Sequence, residues 1–142
     1  GKRVERLDGD VLRGVFPNTG FGREARDEHI KRVGFMASRL EHHGVIVIAA
    51  FISPYRAARE FVRQHCDRFI EIHVKASLDE CKRRDVKGLY KKALAGEIKE
   101  FTGISDPYEA PTQPELVVDT EHQTLDESFE QIMNYLEPYL QD

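Results

Sequence analysis

Cysteine is scarce in this chain: among 142 residues there are only Cys66 and Cys81, and their separation fits no metal or redox motif. A disulfide framework is thereby excluded, and the usage fits free thiols in a reducing, cytoplasmic setting. Long apolar runs are missing as well. The longest, Val45–Ile52, falls far short of the about 18 residues that a membrane span needs, and no secretory leader pattern is present, so no membrane partner is expected. The six histidines are scattered without zinc-ligand spacing. Cations are not in excess either: Lys and Arg number 21 against 25 Asp and Glu, for a net charge of −4. That balance argues against a nucleic-acid partner. Nowhere does the chain contain Gly-x-x-x-x-Gly-Lys-[Ser/Thr], the loop that cradles nucleotide phosphates. Its only Gly-Lys pair is Gly1-Lys2, followed by Arg3.

What is present suits one domain, residues 1–142, large enough to bury a core without metals or disulfides. Its 40% hydrophobic and 32% charged content is that of an ordinary globular protein. Strand and helix signals alternate along it. Arg3–Leu7 reads as a strand ending in Asp8-Gly9-Asp10, Val11–Phe16 as a short helix, and Pro17-Asn18-Thr19-Gly20 as a loop. In Glu24–His43 the residues Ile30, Val33, Ala37 and Leu40 recur at helical spacing, and Gly44 is suited to cap the end. The uninterrupted apolar, β-branched run Val45–Ile52 predicts a central parallel strand buried on both faces. Pro54–His65 reads as a helix with Pro54 in its first turn, and Phe69–Val74 as a further strand. Ser77 with Glu80 and Thr124 with Glu127 each have capping-box spacing ahead of a helix. Leu116–Val118 is a short last strand, and Leu125, Phe129, Ile132, Met133 and Leu136 form the apolar stripe of the closing helix. Repeated strand–helix units predict a three-layer α/β fold with a parallel sheet, whose ligand lies at the carboxyl ends of the strands.

Three polar groups fall at those ends: Asp8, Asp10 and Ser53. Asp8-Gly9-Asp10 is either a plain turn with Asp10 capping a helix, or a pair of carboxylates placed for chemistry. Arg13 follows Asp10 by three residues, so the two share a helical face, as a surface ion pair or as a hydroxyl-orienting and anion-holding couple. Arg26, His29 and Arg32 are either a solvated stripe or polar groups aimed at a ligand. Ser53 leaves the long strand and enters a helix at once, and a capping role is the simpler reading of its hydroxyl. The stretch Arg84–Gly103 carries Arg84, Lys87, Lys91, Lys92 and Lys99 between Gly88, Gly96 and Gly103, with Tyr90 and Phe101 its only aromatics. It reads either as a solvated basic helix or as a cationic lid, spanning about residues 84–111, for a polyanionic ligand that contains a base.

Taken in order, LDGDVLR, GFGREARDEHIKRVG, FISPYR, RDVKGLYKKALAGEIKEFTG and DPYEAP resemble the adenylylsulfate kinase family from Leu7 to about Thr120. The resemblance implies a P-loop kinase fold and transfer of the γ-phosphate of Mg-ATP to the 3′-hydroxyl of adenylyl sulfate. It implies that Asp10 orients or deprotonates that hydroxyl and that Asp8 reaches Mg through water. Arg13, Phe21, Arg26, His29, Ile52, Ser53, Lys87 and Phe101 fall on positions for adenylyl sulfate, with Phe21 and Phe101 on either side of its adenine. Lys87 also reaches phosphate oxygens, and Arg84 and Thr120 fall to ATP. A phosphorylated Ser53 is the lesser reading, because direct transfer between bound substrates needs only positioning and charge stabilisation.

The chain departs from the family in three places. His29 stands where asparagine is expected, and Glu100 stands where glycine usually precedes the stacking phenylalanine. The first strand, its phosphate loop and the first helix have no counterpart in these residues. The expectation is that this segment belongs to the natural protein. The alternative is an inactive adenylyl sulfate-binding or regulatory relic. A homodimer, and fusion to or association with sulfate adenylyltransferase, are further expectations that the resemblance carries.

Overall fold

The computed structural model describes residues 1–16 and 20–141; most of the expected Pro17–Gly20 loop lies outside them. The chain divides into two compact units. The first comprises Gly1–Phe69 and Asp106–Ala110, the second Ile70–Ser105 with the chain from Pro111 onward.

In the first unit β1 (Arg3–Asp8) and β2 (Val45–Ala50) pair in parallel, Arg3 opposite Val45 and Asp8 opposite Ala50. Asp8 ends β1 and caps α1 (Gly9–Val15): its Oδ1 accepts from the backbone N–H of Asp10 at 3.0 Å and of Val11 at 3.3 Å. The cap is therefore Asp8 and not Asp10, because the carboxylate one residue ahead of the helix is the one that reaches its orphan donors. Gly9 keeps this strand end uncrowded. A Cβ there would lie 3.2 Å from the Phe51 ring and 3.4 Å from the Ala50 carbonyl oxygen.

Helix α2 (Arg23–His42) buries His29, Ile30, Val33, Gly34, Ala37 and Ser38, the face that its apolar spacing implies. Leu7, Val33 and Ala37 form the core of this unit, with Leu12, Met36, Val47 and Phe51 packed around them. Gly44, at φ +73°, reverses the chain into β2. Exposed i,i+4 pairs, Lys31 with Asp27 and Arg32 with Glu28, brace the outer face. Helix α3 (Arg56–His65) follows β2.

Two expectations are corrected in this unit. The run Val45–Ile52 is not buried on both faces, since Ile48 is 56% and Ile52 71% exposed. Among the described residues β2 pairs with β1 alone, and only the side carrying Val47 meets the core. Ser53 is not the cap of α3, and Pro54 is not in its first turn. Ser53 has φ +43°, and the cap position falls to Tyr55, whose own side chain makes no capping bond. The carboxylate of Glu109 does that work instead, accepting from the Arg56 N–H at 2.9 Å.

In the second unit β3 (Ile72–Lys75) and β4 (Leu116–Asp119) form another parallel pair, Ile72 opposite Leu116 and Lys75 opposite Asp119. Val118 is its most deeply buried large side chain. The basic stretch folds as the end of α4 (Leu78–Arg84), a turn, α5 (Leu89–Leu94) and the irregular residues that follow. It is not without an apolar side: α5 buries Ala93, and Tyr90 meets Phe101 edge-on at 4.9 Å between ring centroids. Asp85 caps α5 from its approach, accepting from the N–H of Tyr90 at 2.9 Å and of Lys91 at 3.0 Å.

Of the two expected capping boxes, only the one at α6 (Leu125–Leu140) is closed in both directions, between Thr124 and Glu127. At α4 the Ser77 hydroxyl accepts from Glu80 N–H, but Glu80's carboxylate is drawn to Arg83 and Arg84, and the Ser77 N–H donates to Glu121 at 2.8 Å. The stripe of α6 is also divided. Leu125 is 85% and Phe129 61% exposed, because the helix turns Ser128 inward and Gln131 donates to the Val117 carbonyl at 3.1 Å. No described helix is long and apolar enough to cross a membrane.

Candidate active site

The carboxyl edge of β1 and β2 brings together much of what the sequence reading singled out. Asp8 closes β1, and Asp10 lies exposed in the first turn of α1. The second carboxylate oxygen of Asp8 accepts from Arg6 at 3.0 Å. The capping N–H of Val11 and the Arg6 bond hold Asp8 below the usual aspartate pKa; this group is ionised throughout the neutral range. One helical turn on, Arg13 donates to the Gly20 carbonyl at 3.3 Å and places its guanidinium 4.6 Å from the centre of the Phe21 ring. Partial burial and the neighbouring Arg26 lower the Arg13 pKa, and Asp10 opposes them. An arginine remains charged regardless, so this is a concentration of positive charge set against one carboxylate. Phe21, at 63% exposed, offers apolar surface beside that charge, and Ile52 is exposed just past the end of β2.

His29 is 3% exposed, tilted against Phe51 at 6.1 Å between rings. Its Nε2 is buried without a hydrogen-bond partner among the described residues. Burial, then Arg13 and Arg32, pushes its pKa below the ordinary histidine value.

Arg26 has a specific partner that its spacing did not reveal. Its Nη1 donates to Asp106 Oδ2 at 3.0 Å, with both side chains largely out of solvent. The Tyr55 hydroxyl donates to the same oxygen, and Tyr55 is 2% exposed with the Arg23 guanidinium 4.4 Å above its ring. Burial and the Asp106 bond raise the Tyr55 pKa, so it stays a donor. Arg59 donates to the carbonyls of Ser53 and Glu109 at once. Arg23, Tyr55, Arg56, Arg59, Asp106 and Glu109 were all missed as a group. The DPYEAP motif was the available signal, but nothing local states which arginine a carboxylate 80 residues away will meet.

In the second unit the two residues expected to face ATP are bonded to each other, Arg84 to both the hydroxyl and the carbonyl of Thr120. Lys87 is exposed in the turn between α4 and α5. Phe101 is half-buried edge-on to Tyr90, and its N–H donates to the Ser105 hydroxyl at 2.8 Å. Among the described residues no group of three or more His, Cys, Asp or Glu side chains is arranged to hold a metal.

Comparisons with known proteins identify the family. Residues 1–119 match the family model described as adenylylsulphate kinase. An adenylyl-sulfate kinase of Picosynechococcus is 54% identical over 137 residues, covering 96% of this chain and 77% of its own. One from Staphylococcus epidermidis is 51% identical over 142 residues, 98% of this chain and 71% of its own. Among solved structures, the Mycobacterium tuberculosis APS kinase CysC in complex with AMPPNP and APS superposes with a TM-score of 0.87 at 37% identity, covering 96% of this chain and 80% of that one. The chain belongs to the adenylylsulphate kinase family.

Proposed function

We propose that this protein transfers the γ-phosphate of ATP to the 3′-hydroxyl of adenylyl sulfate, giving 3′-phosphoadenylyl sulfate. The observation that carries the reading is the edge of the β1–β2 pair, where Asp8 and Asp10 adjoin an arginine laid over an exposed phenylalanine. Such a transfer needs positioning and charge stabilisation more than covalent help from the protein. Asp10, exposed and in the first turn of α1, orients the 3′-hydroxyl and takes up its proton. Arg13 and Arg26 receive the phosphosulfate, and Phe21 and Ile52 give the base an apolar seat. In the second unit Lys87 meets phosphate oxygens, Phe101 offers a ring for stacking on a base, and Arg84 with Thr120 serves ATP.

Asp8 suits a water-mediated magnesium partner better than a direct ligand. One of its oxygens is taken by two N–H donors and the other by Arg6, which leaves that second oxygen room to accept from a metal-bound water. Magnesium keeps several waters and leans on substrate phosphates, so a single carboxylate is enough. When bound, the ion neutralises charge that develops on the phosphates. Ser53, strained at φ +43° and held through its carbonyl by Arg59, serves as backbone beside Ile52 and not as a phosphoryl carrier.

The test is release of ADP by the natural protein with and without adenylyl sulfate. Release that depends on adenylyl sulfate supports the reading, and release that ignores it overturns it. Asp10→Asn should lower kcat far more than it weakens adenylyl sulfate binding, and equal losses in both would remove Asp10 from its role. Phe101→Ala should weaken binding by about 1–3 kcal/mol, the worth of one stacked base.

A further inference from the structure

Asp106 takes no part in the site as the sequence describes it, yet Arg26 and the buried Tyr55 both converge on its carboxylate. Its Oδ2 accepts from Arg26 at 3.0 Å and from the Tyr55 hydroxyl. The side chains of Arg26 and Asp106 are only 12% and 14% exposed, and Tyr55 is 2% exposed. A charge so poorly solvated is stable only with its partner in place. The pair is therefore obligatory, and it has one geometry. Asp106 is also held from behind. Three residues on, Glu109 caps α3 through the Arg56 N–H at 2.9 Å and pairs with Arg23 at 3.4 Å, while its carbonyl accepts from Arg59. The carboxylate thus sits on a strap fixed at several points to α2 and α3, just past the basic stretch Arg84–Gly103.

We propose that Asp106, with Tyr55, is a positioning residue for adenylyl sulfate that acts through Arg26, aiming the guanidinium at the substrate's anionic end. This rests on the assignment of Arg26 to the phosphosulfate made above. A guanidinium carries five N–H donors in a rigid plane. Anchoring one edge of that plane to a desolvated carboxylate fixes the direction of the other edge and removes the entropy cost of ordering it when substrate arrives. The carboxylate also limits the net positive charge of the empty site, which Arg13 and Arg26 would otherwise leave uncompensated beside Asp10.

The substitution that separates positioning from folding is Asp106→Asn, which keeps shape and one acceptor while removing the charge. The dissociation constant for adenylyl sulfate, read by titration calorimetry, should rise about tenfold or more, and KM for adenylyl sulfate should rise with it, while KM for ATP stays within about twofold. Tyr55→Phe, which retains the ring under Arg23, should shift the same constant in the same direction by less. In an Arg26→Ala background Asp106→Asn should add nothing, because the two act as one unit. Unchanged adenylyl sulfate affinity in either folded variant overturns the inference. So do equal rises in both KM values, or losses that add in the double variant. If Asp106→Asn does not fold, Tyr55→Phe alone decides the matter by the same constants. A wild-type protein that fails to bind adenylyl sulfate overturns the functional reading itself, a result distinct from all of these.

Discussion

Arg84 and Thr120 are joined twice: Nη1 of the arginine donates to the threonine hydroxyl at 3.0 Å and Nη2 to its carbonyl at 2.7 Å. The same guanidinium donates through Nε to Glu80 at 2.6 Å, and the Thr120 hydroxyl donates to the Lys75 carbonyl at 3.0 Å. One planar group therefore ties α4 to Thr120 at the end of β4, and the threonine hydroxyl carries the tie on to β3. Only a fork with several coplanar donors makes all of these bonds, so Arg84→Lys is not a conservative change here. If the plane also serves as a shelf for the ATP base, the lysine variant should lose ATP affinity by about two- to fivefold, the range of an exposed cation–π contact. Adenylyl sulfate binding should be unaffected. Equal ATP dissociation constants for the two proteins would dissociate Arg84 from the nucleotide.

The arginines also set how the second unit responds to acid. Hydrogen bonds from Arg83 and then Arg84 hold the Glu80 carboxyl down to about 2, against an ordinary value of 4.5. Its folded pKa lies below its unfolded one, so the stability it contributes is complete above about 4.5 and is lost as pH falls toward about 2. A carbon-13 titration of the Glu80 side chain should show the low midpoint, and Arg83→Gln should move it upward. A midpoint left in place by that change would mean that Arg83 does not hold the carboxylate in solution.

How far the chain could be read in advance depended on the reach of each signal. Ser77-x-x-Glu80 and Thr124-x-x-Glu127 are the same pattern, and both serines or threonines cap their helices. Whether the glutamate returns the bond is decided by what else is near it: Arg83 and Arg84 claim Glu80, whereas Glu127 reaches back to the Thr124 N–H at 2.7 Å. The edges of α2 and the parallel pairing were legible because they rest on spacing and on apolar runs. The burial of β2 was not, since a run of apolar residues records only what a strand can tolerate and not which neighbours it has. The grouping of Asp8, Asp10 and Arg13 at the end of β1 was legible because the three lie within six consecutive residues. Asp106 and Glu109 were not, because their partners Arg26 and Arg23 are brought to them by the fold alone.

Gly34 illustrates a close approach that composition conceals. It lies in the middle of α2, where glycine costs about 1 kcal/mol relative to alanine. Yet a Cβ there would lie 2.4 Å from Val62 Cγ2 on α3, well inside contact distance. Gly34→Ala should therefore destabilise the protein by about 1–3 kcal/mol, the usual cost of overpacking, in spite of its better helix propensity. Urea denaturation should show the lower midpoint, and Val62→Ala in the same chain should recover part of it. A stabilised alanine variant would show that α2 and α3 yield to each other at little cost.

Glu100 is held at φ +53°, a region that glycine enters freely and a side chain does not. Glu100→Gly should release about 1 kcal/mol of that strain, less the entropy that glycine restores to the unfolded chain. It also removes a carboxylate next to Phe101, so affinity for the doubly anionic adenylyl sulfate should increase. A raised urea midpoint with unchanged affinity would support the strain and reject any electrostatic influence of Glu100 on the ligand.

His29 joins burial, charge and the proposed substrate in one side chain. Its ring is 3% exposed, its Nε2 has no hydrogen-bond partner among the described residues, and Arg13 and Arg32 add positive potential to the cost of burial. Each effect disfavours the imidazolium, so the folded pKa lies below the ordinary 6.5 of the unfolded chain. Above that value both states are neutral and pH has no leverage. Below it the unfolded chain binds a proton that the folded one resists, so unfolding is favoured as pH falls. The difference in unfolding free energy between pH 7.5 and pH 5.5 should thus be smaller in His29→Asn than in the parent protein, since the remaining histidines cancel in the comparison. Parallel stability curves would show that some other group carries the acid sensitivity. The same variant should retain adenylyl sulfate binding at pH 7.5, where the parent imidazole is neutral and an amide can replace it as a hydrogen-bonding group. A loss of affinity there would show that the ring itself, by shape, is part of the substrate's seat.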